Sequence, residues 1–119
     1  MGLDFSHCNA HFSYHGFGEF RDALVKAIDP DKKQHLYDMY LDDTFRKYRD
    51  DPLFPLIDHS DNDGVLTPAE LAKVIPRLEE LLKKLDPESE HFTFHREQGK
   101  EMLRGMCKAY RNNEDFKFC

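Results

Sequence analysis

An apolar stripe with helical spacing, placed directly after a dense turn sequence, constrains the fold of this chain more than any other feature. The turn is the segment Asp58–Gly64, DHSDNDG, in which Asp, Asn, Ser and Gly all favour tight turns. Apolar residues then recur at steps of three and four: Leu71, Val74, Ile75, Leu78, Leu82 and Leu85. Residues with this spacing share one face of a helix. The sequence therefore predicts a turn followed by a helix that starts at Pro68, ends near Leu85 and buries one face.

Three other segments have helical periodicity and are separated by proline or by turn residues. We expect helices over about 19–29, 31–49 and 95–112. Pro30 ends the first of these, because proline disfavours helical geometry in the residue before it. At 119 residues the chain has the length of one domain. The predicted fold is therefore a single, mainly α-helical domain over residues 1–119 with about four helices.

The two terminal segments lack helical spacing. Aromatic and polar residues alternate in parts of 1–16 and in 115–119, which is typical of short strands. We therefore expect short strands at the two termini that pack against each other. The contacts expected from this arrangement join the aromatic side chains of the two segments: Phe116 and Phe118 against Phe5 or Phe12.

The turn also matches the Ca²⁺-binding loop of an EF-hand, D-x-[DN]-x-[DN]-G-x₅-E, at every position but one. In such a loop oxygen ligands surround the ion, a glycine at the sixth position permits the sharp turn, and a bidentate Glu at the twelfth closes the shell. With Gly64 at the sixth position, the other ligand positions fall on Asp61, Asp63, Val65, Thr67 and Glu70. Leu66, at the eighth position, is expected to point into the core. The spacing thus predicts an EF-hand-like unit of loop and helix.

The exception is the first position, where His59 stands in place of the usual aspartate. Imidazole is a softer nitrogen ligand that suits Zn²⁺ and similar ions better than Ca²⁺. Asp58, one residue earlier, could supply the missing carboxylate in a longer loop. Loss of the first carboxylate predicts weak Ca²⁺ binding, with a Kd of about 10⁻⁴–10⁻³ M. Another divalent ion, held through His59, is the alternative.

The same residues also fit a loop that binds no metal. The segment Thr67–Glu70, TPAE, is a capping box with Thr67 as N-cap, Pro68 at the first helical position and Glu70 at the third. Such a segment could serve only to turn the chain and start the helix. The sequence leaves the metal-bound and the metal-free loop open.

A second group of potential ligands lies near the N-terminus. Asp4, His7 and His11 surround Cys8 among several aromatic residues. Imidazole, carboxylate and thiolate can hold a transition metal, but this segment lacks both helical spacing and a C-x₂-C pair. A structural cluster of hydrogen-bonded histidines is the simpler interpretation. The chain has no G-x-S-x-G, glycine-rich phosphate loop or H-E-x-x-H sequence, so an enzyme is disfavoured.

Charge and cysteine content limit the partners and the compartment. The net charge of −6 argues against a nucleic-acid-binding protein, which needs a basic face. No apolar run approaches the roughly 18 residues of a membrane span, and we expect no signal peptide. Three cysteines are an odd number and are interpreted as free thiols in a reducing compartment. These features predict a cytoplasmic protein that binds neither a membrane nor nucleic acid, and they leave a protein partner open.

Several parts of the chain resemble a set of short bacterial and phage-encoded proteins. The resemblance spans nearly the whole length and rests on these segments: the opening MGLDFSH, Ala10-His11, Gly16-Phe17, the HSDNDG turn, Pro76-Arg77-Leu78 and the final Phe118-Cys119. It implies a bacterial or phage cytosolic origin and no particular activity. In those proteins a His also precedes Ser-Asp at the loop start, which disfavours ordinary Ca²⁺ sensing.

Three functions follow as hypotheses. The first is a divalent-metal-binding or regulatory module that binds Ca²⁺ weakly through the 59–70 loop. The second is a metal-free interaction module whose acidic surface engages a basic protein partner. The third is a small metal-dependent enzyme that uses the Asp4, His7 and His11 cluster.

Overall fold

In the part of the chain that the structure describes, helices and two small antiparallel sheets enclose an aromatic core. The computed structural model describes residues 2–59, 63–85 and 90–119, with the backbone alone for 90–94. In these ranges the elements follow in this order: β1 Gly2–Asp4, β2 His11–Ser13, α1 Tyr14–Ile28, α2 Leu36–Leu41, a 3₁₀ helix Thr44–Tyr48, α3 Phe54–Ile57, β3 Gly64–Leu66, α4 Pro68–Lys84, α5 Glu90–Arg111 and β4 Phe116–Phe118. The prediction of a mainly helical chain with short strands at both termini is confirmed.

Helix α1 begins earlier than its apolar spacing indicates. It starts at Tyr14 rather than near residue 19, because the Ser13 hydroxyl accepts a hydrogen bond from the Gly16 N–H at 2.9 Å. A serine N-cap satisfies one of the free N–H groups of the first turn. Strand β2 therefore runs directly into α1, and the N-terminal strands are fixed at the start of this helix.

The single helix predicted over 31–49 is wrong in extent. The Lys32 ammonium is buried and donates to the Asp22 carboxylate at 2.5 Å, which holds the chain after Pro30 against α1 in a non-helical path. Helix α2 then starts after His35, whose ring nitrogen Nδ1 accepts from the Tyr37 N–H at 3.1 Å. Asp43, with φ of 68°, lies between α2 and the 3₁₀ helix. Side-chain contacts with α1 thus replace one long helix by two short ones.

Strand β4 lies between the N-terminal segment and β3, the strand that precedes α4. It pairs antiparallel with β3, with Val65 opposite Lys117. On its other side Phe118 forms a bridge with Phe5, and the Cys119 N–H donates to the Asp4 carbonyl at 2.9 Å. The expected pairing of the tail with the N-terminal segment is present, but the larger partner of the tail is β3.

The core is built largely from phenylalanine rings. The Phe5 ring lies 5.4 Å from that of Phe116 and 5.1 Å from that of Phe118, which confirms the predicted packing of the tail on the N-terminal segment. Phe12 stacks on Phe20 at 5.0 Å. The apolar stripe of α4 completes the core with buried leucine and valine residues: Leu71, Val74, Leu78, Leu81 and Leu82.

Helices α4 and α5 pack closely because a glycine lies between them. A methyl group at Gly99 would come within 2.9 Å of both Phe20 and Leu82.

None of the helices in the described ranges is both long enough and apolar enough to cross a membrane.

Candidate metal site in the loop at residues 59–70

Hydrogen bonds from the Arg21 guanidinium hold the start of the loop in place. Its guanidinium Nη1 donates to the carbonyl of His59 at 2.6 Å and to those of Leu56 and Ile57 at 3.3 Å. The side chain is buried and lies over the rings of Phe17 and Tyr40. Two carbonyls at the end of α3 and the His59 carbonyl therefore accept hydrogen bonds from one side chain of α1, which sets the position from which the loop begins.

The His59 side chain closes the loop across its width. Its Nε2 lies 3.0 Å from the Val65 carbonyl oxygen, and its ring stacks on Phe118 with centroids 3.9 Å apart. A carbonyl oxygen can only accept, so Nε2 carries the proton in this contact. The residues at the first and seventh positions of the loop pattern thus meet at hydrogen-bond distance.

Gly64 is required at the sixth position for two reasons. Its φ is 102°, in a region that residues with a Cβ rarely adopt. A Cβ here would also lie 3.1 Å from the His59 ring. The chain leaves the turn as β3, which directs Leu66 into the core with no exposed surface. The predicted inward orientation of Leu66 is confirmed.

The end of the loop is the predicted capping box. The Glu70 carboxylate accepts from the Thr67 N–H at 2.9 Å, and the Thr67 hydroxyl accepts from the Glu70 N–H at 3.3 Å. The same Glu70 oxygen lies 3.1 Å from the Thr67 hydroxyl. The residues at the ninth and twelfth positions therefore hold each other and start α4.

The remaining candidate ligands of the loop are Asp58, Asp61 and Asp63. Asp58 and Asp63 are exposed at the two sides of the turn. Asp61, at the third position, lies outside the described residues. Among the residues that are described, no group of three or more His, Cys, Asp or Glu side chains is arranged to hold a metal ion.

Two residues that sequence reasoning missed determine the site. Phe118 supplies the ring on which His59 stacks, and no local signal connects it to residue 59. The sequence does contain a signal for Arg21, because this residue lies four residues after Phe17 and three before Leu24, on the apolar face of α1. A charged residue on such a face requires polar partners, and the carbonyls of α3 provide them.

The N-terminal residues are divided between two contacts. His11 Nδ1 lies 2.8 Å from the Asp4 carboxylate across the β1–β2 pair. His7 instead contacts the Glu114 carboxylate at 3.2 Å, and this hydrogen bond lowers the pKa of Glu114. Burial raises the pKa of the Cys8 thiol, which disfavours the thiolate that a metal site needs. The structure thus brings Asp4 to His11 and directs His7 elsewhere.

The described loop offers chiefly oxygen atoms, from a carbonyl, a hydroxyl and carboxylates, together with one imidazole. Oxygen ligands suit a hard cation such as Ca²⁺, whereas imidazole suits Zn²⁺.

Comparisons of the chain with models of protein families, with curated proteins and with solved structures gave no match.

Proposed function

We propose that the chain is a small divalent-cation-binding module, with the 59–70 loop as a weak Ca²⁺ site. The observation that carries the proposal is the 3.0 Å approach of His59 Nε2 to the Val65 carbonyl oxygen. Two ligands at neighbouring vertices of one Ca²⁺ ion lie roughly 3 Å apart when the metal–ligand distances are about 2.3–2.6 Å. When the ring proton is on Nδ1 instead of Nε2, the first and seventh positions of the loop are therefore spaced as shared ligands would be.

The same contact argues for low affinity. A cation at the Val65 carbonyl has to displace the His59 N–H, and it gains only an imidazole or the neighbouring Asp58 carboxylate in return. Glu70 is likewise engaged by Thr67 and has to give up part of its capping contact to become a bidentate ligand. Both exchanges reduce the net gain from binding, which supports a Kd of about 10⁻⁴–10⁻³ M.

Replacing His59 by aspartate is expected to tighten Ca²⁺ binding at least tenfold. The change supplies the carboxylate that the first position of the pattern lacks and removes the donor that covers the Val65 carbonyl. At 10 mM Ca²⁺, stabilisation by ligand is about 1.4 kcal/mol for a Kd of 1 mM and about 2.7 kcal/mol for 0.1 mM. For a chain of this length each kcal/mol is about 4 °C in Tm, so thermal melting with and without Ca²⁺ resolves the difference.

His59→Asn is the matched control for this experiment. Asparagine removes the same ring and its stacking on Phe118, but it adds no negative charge. We expect His59→Asn to gain no more from Ca²⁺ than the wild type. Equal Ca²⁺ responses of the Asp and Asn variants would show that the loop does not bind the ion as an EF-hand does.

Replacing Glu70 by glutamine separates the ligand from the helix cap. Glutamine can still accept the Thr67 N–H hydrogen bond, so stability without Ca²⁺ is expected to change by at most about 1 kcal/mol. A charged, bidentate carboxylate is lost, so most of the rise in Tm at about 10 mM Ca²⁺ should disappear. The measurement is again a melting curve with and without the ion.

Three results would contradict the Ca²⁺ site. If the wild type shows no rise in Tm, the loop is a turn and a cap only. If the wild type and Glu70→Gln rise equally, the ion binds elsewhere, and the exposed Asp42 and Asp43 are tested next. A larger rise with Zn²⁺ than with Ca²⁺, lost in His59→Asn, would identify a different divalent ion.

The same hydrogen bond between His59 and Val65 also favours a second function, in which the loop binds no metal. Because His59 already satisfies the Val65 carbonyl and Glu70 already caps α4, the loop closes without a cation. The chain would then be an interaction module for a basic protein partner, as its net charge of −6 suggests. In either case we propose a cytoplasmic location without nucleic-acid binding, supported by three free thiols and the acidic charge.

A further inference from the structure

Gly18 is the glycine that the fold itself does not require. Of the six glycines, all in the described ranges, the other five each have a neighbouring atom within about 3 Å of a Cβ placed there, and Gly64 also has a positive φ. A Cβ at Gly18 meets nothing within 4 Å. The residue lies inside α1, where glycine is a poor helix former. It therefore weakens the helix without improving any contact within the chain.

The open space beside Gly18 is a groove between α1 and the start of α2. Two adjoining hollows of about 490 and 330 Å³ form it, and both are lined by Gly18, His35 and Tyr37. Each hollow is of the size that binds small molecules or side chains. An alanine or larger residue at position 18 would project into this space, whereas glycine leaves the α1 backbone open to an occupant.

Exposed tyrosines line one end of the groove. The Tyr37 side chain is 64% exposed and that of Tyr14 is 40% exposed. Tyr14 and Gly18 are four residues apart on α1 and so share a face. Aromatic rings left in water at a concave surface are typical anchors for a partner, and their faces attract cations.

The charge along the groove is negative. Three carboxylates line it, those of Glu19, Asp38 and Asp58, and Glu19 accepts a hydrogen bond from His35 at 2.9 Å. The one cationic lysine or arginine side chain among the lining residues is Arg21, which is buried and donates to backbone carbonyls of α3 and the loop start. An occupant that matches this surface carries positive charge.

We propose that this groove binds a basic peptide segment of a partner protein. An arginine or lysine side chain of the segment lies over Tyr37 with its charge towards Asp38 and Glu19, and the peptide passes close to the backbone at Gly18. The proposal rests on the second proposed function, an interaction module for a basic protein partner, and does not depend on metal bound to the loop.

An NMR titration with a short probe tests where such a segment binds. The probe is the capped tetrapeptide Arg-Ala-Ala-Arg, with Glu-Ala-Ala-Glu as the matched acidic peptide. We expect saturable shifts of the Gly18, Tyr37 and Asp38 amide signals with the first peptide and none with the second. Shifts spread equally over the acidic surface, for example at Asp42 and Asp43, would overturn the proposal, and so would the absence of shifts.

Charge-neutral variants separate the groove from general attraction to an acidic protein. Gly18→Leu and Tyr37→Ser keep the net charge of −6 and are expected to weaken peptide binding at least fivefold. Tyr110→Ser is the control, because Tyr110 is 47% exposed on α5 and does not line the groove. Wild-type affinity in Tyr37→Ser, which removes an exposed side chain and so keeps the fold, would overturn the proposal.

A stability measurement tests the premise independently of the peptide. Since nothing lies near a Cβ at position 18, Gly18→Ala should raise Tm by about 3–4 °C through better helix formation. A lower Tm would mean that the fold needs this glycine, and the argument for an occupant would then fail.

Discussion

Replacing Phe116 by alanine should lower the free energy of unfolding by about 3–5 kcal/mol, or Tm by about 12–20 °C. The ring has no exposed surface and stacks on Phe5 at 5.4 Å with an interplanar angle of 14°. It also approaches the α5 backbone at Gly105, where a Cβ would lie 3.1 Å from it. Truncation thus leaves a cavity between the sheet strands and α5 that these elements cannot easily fill. Chemical or thermal denaturation measures the change.

Lys117→Ala is the control on the same strand. Lys117 is exposed, its backbone keeps both hydrogen bonds to Ser6, and the strand keeps its pairing with β3, so little change is expected. Deleting residues 115–119 should cost at least as much as Phe116→Ala, because it removes Phe118 and the bridge to Phe5 as well. Similar stabilities of the Phe116 and Lys117 variants would mean that the tail is not part of the core.

Replacing Arg21 by methionine should lower the free energy of unfolding by about 3 kcal/mol. Methionine preserves the apolar stem of the side chain but leaves the His59 carbonyl without the donor that Arg21 provides, at a cost of about 1–3 kcal/mol. The carbonyls of Leu56 and Ile57 keep the His59 N–H and the Tyr40 hydroxyl as donors, and the lost contact of the guanidinium with the rings of Phe17 and Tyr40 adds about 0.5–2 kcal/mol. Hydrogen exchange of the amides in α3 and β3 should accelerate along with the global loss.

Arg46→Met provides the comparison for a surface arginine. Its side chain is 59% exposed and pairs with Asp43 at 2.9 Å, an interaction worth at most about 1 kcal/mol. Equal destabilisation by the two substitutions would contradict the role of Arg21 as the residue that ties α1 to the start of the loop.

Much of the fold was predictable because its signals are local. Helix α4 has a cap, a proline at its first position and an apolar stripe, and each of these acts within one or two turns of the chain. The capping contact of Thr67 with Glu70 and the inward side chain of Leu66 followed from the same segment. Alternation at the two ends was enough to predict strands and the packing of the tail on Phe5.

The errors lie where contacts from distant residues override local preference. Periodicity over 31–49 favoured one helix, but the buried Lys32 ammonium and the Asp22 carboxylate hold the chain in another path. Asp22 also accepts from the Leu36 N–H at 2.9 Å, which fixes where α2 begins. A sequence pattern describes how a segment prefers to fold alone, and it does not contain a partner that lies 14 residues away.

The sequence by itself determined the helical class, the glycine turn and the identities of the residues at the loop positions. The tertiary structure decided how those residues are used. Strand β4 comes from the far end of the chain and stacks Phe118 on the His59 ring, which directs the imidazole to the Val65 carbonyl. It also formed the groove beside Gly18, which requires α1 and α2 together. The physical reason is the same in both cases, because a ring stack and a groove are made by side chains from separate elements whose spacing no single segment encodes.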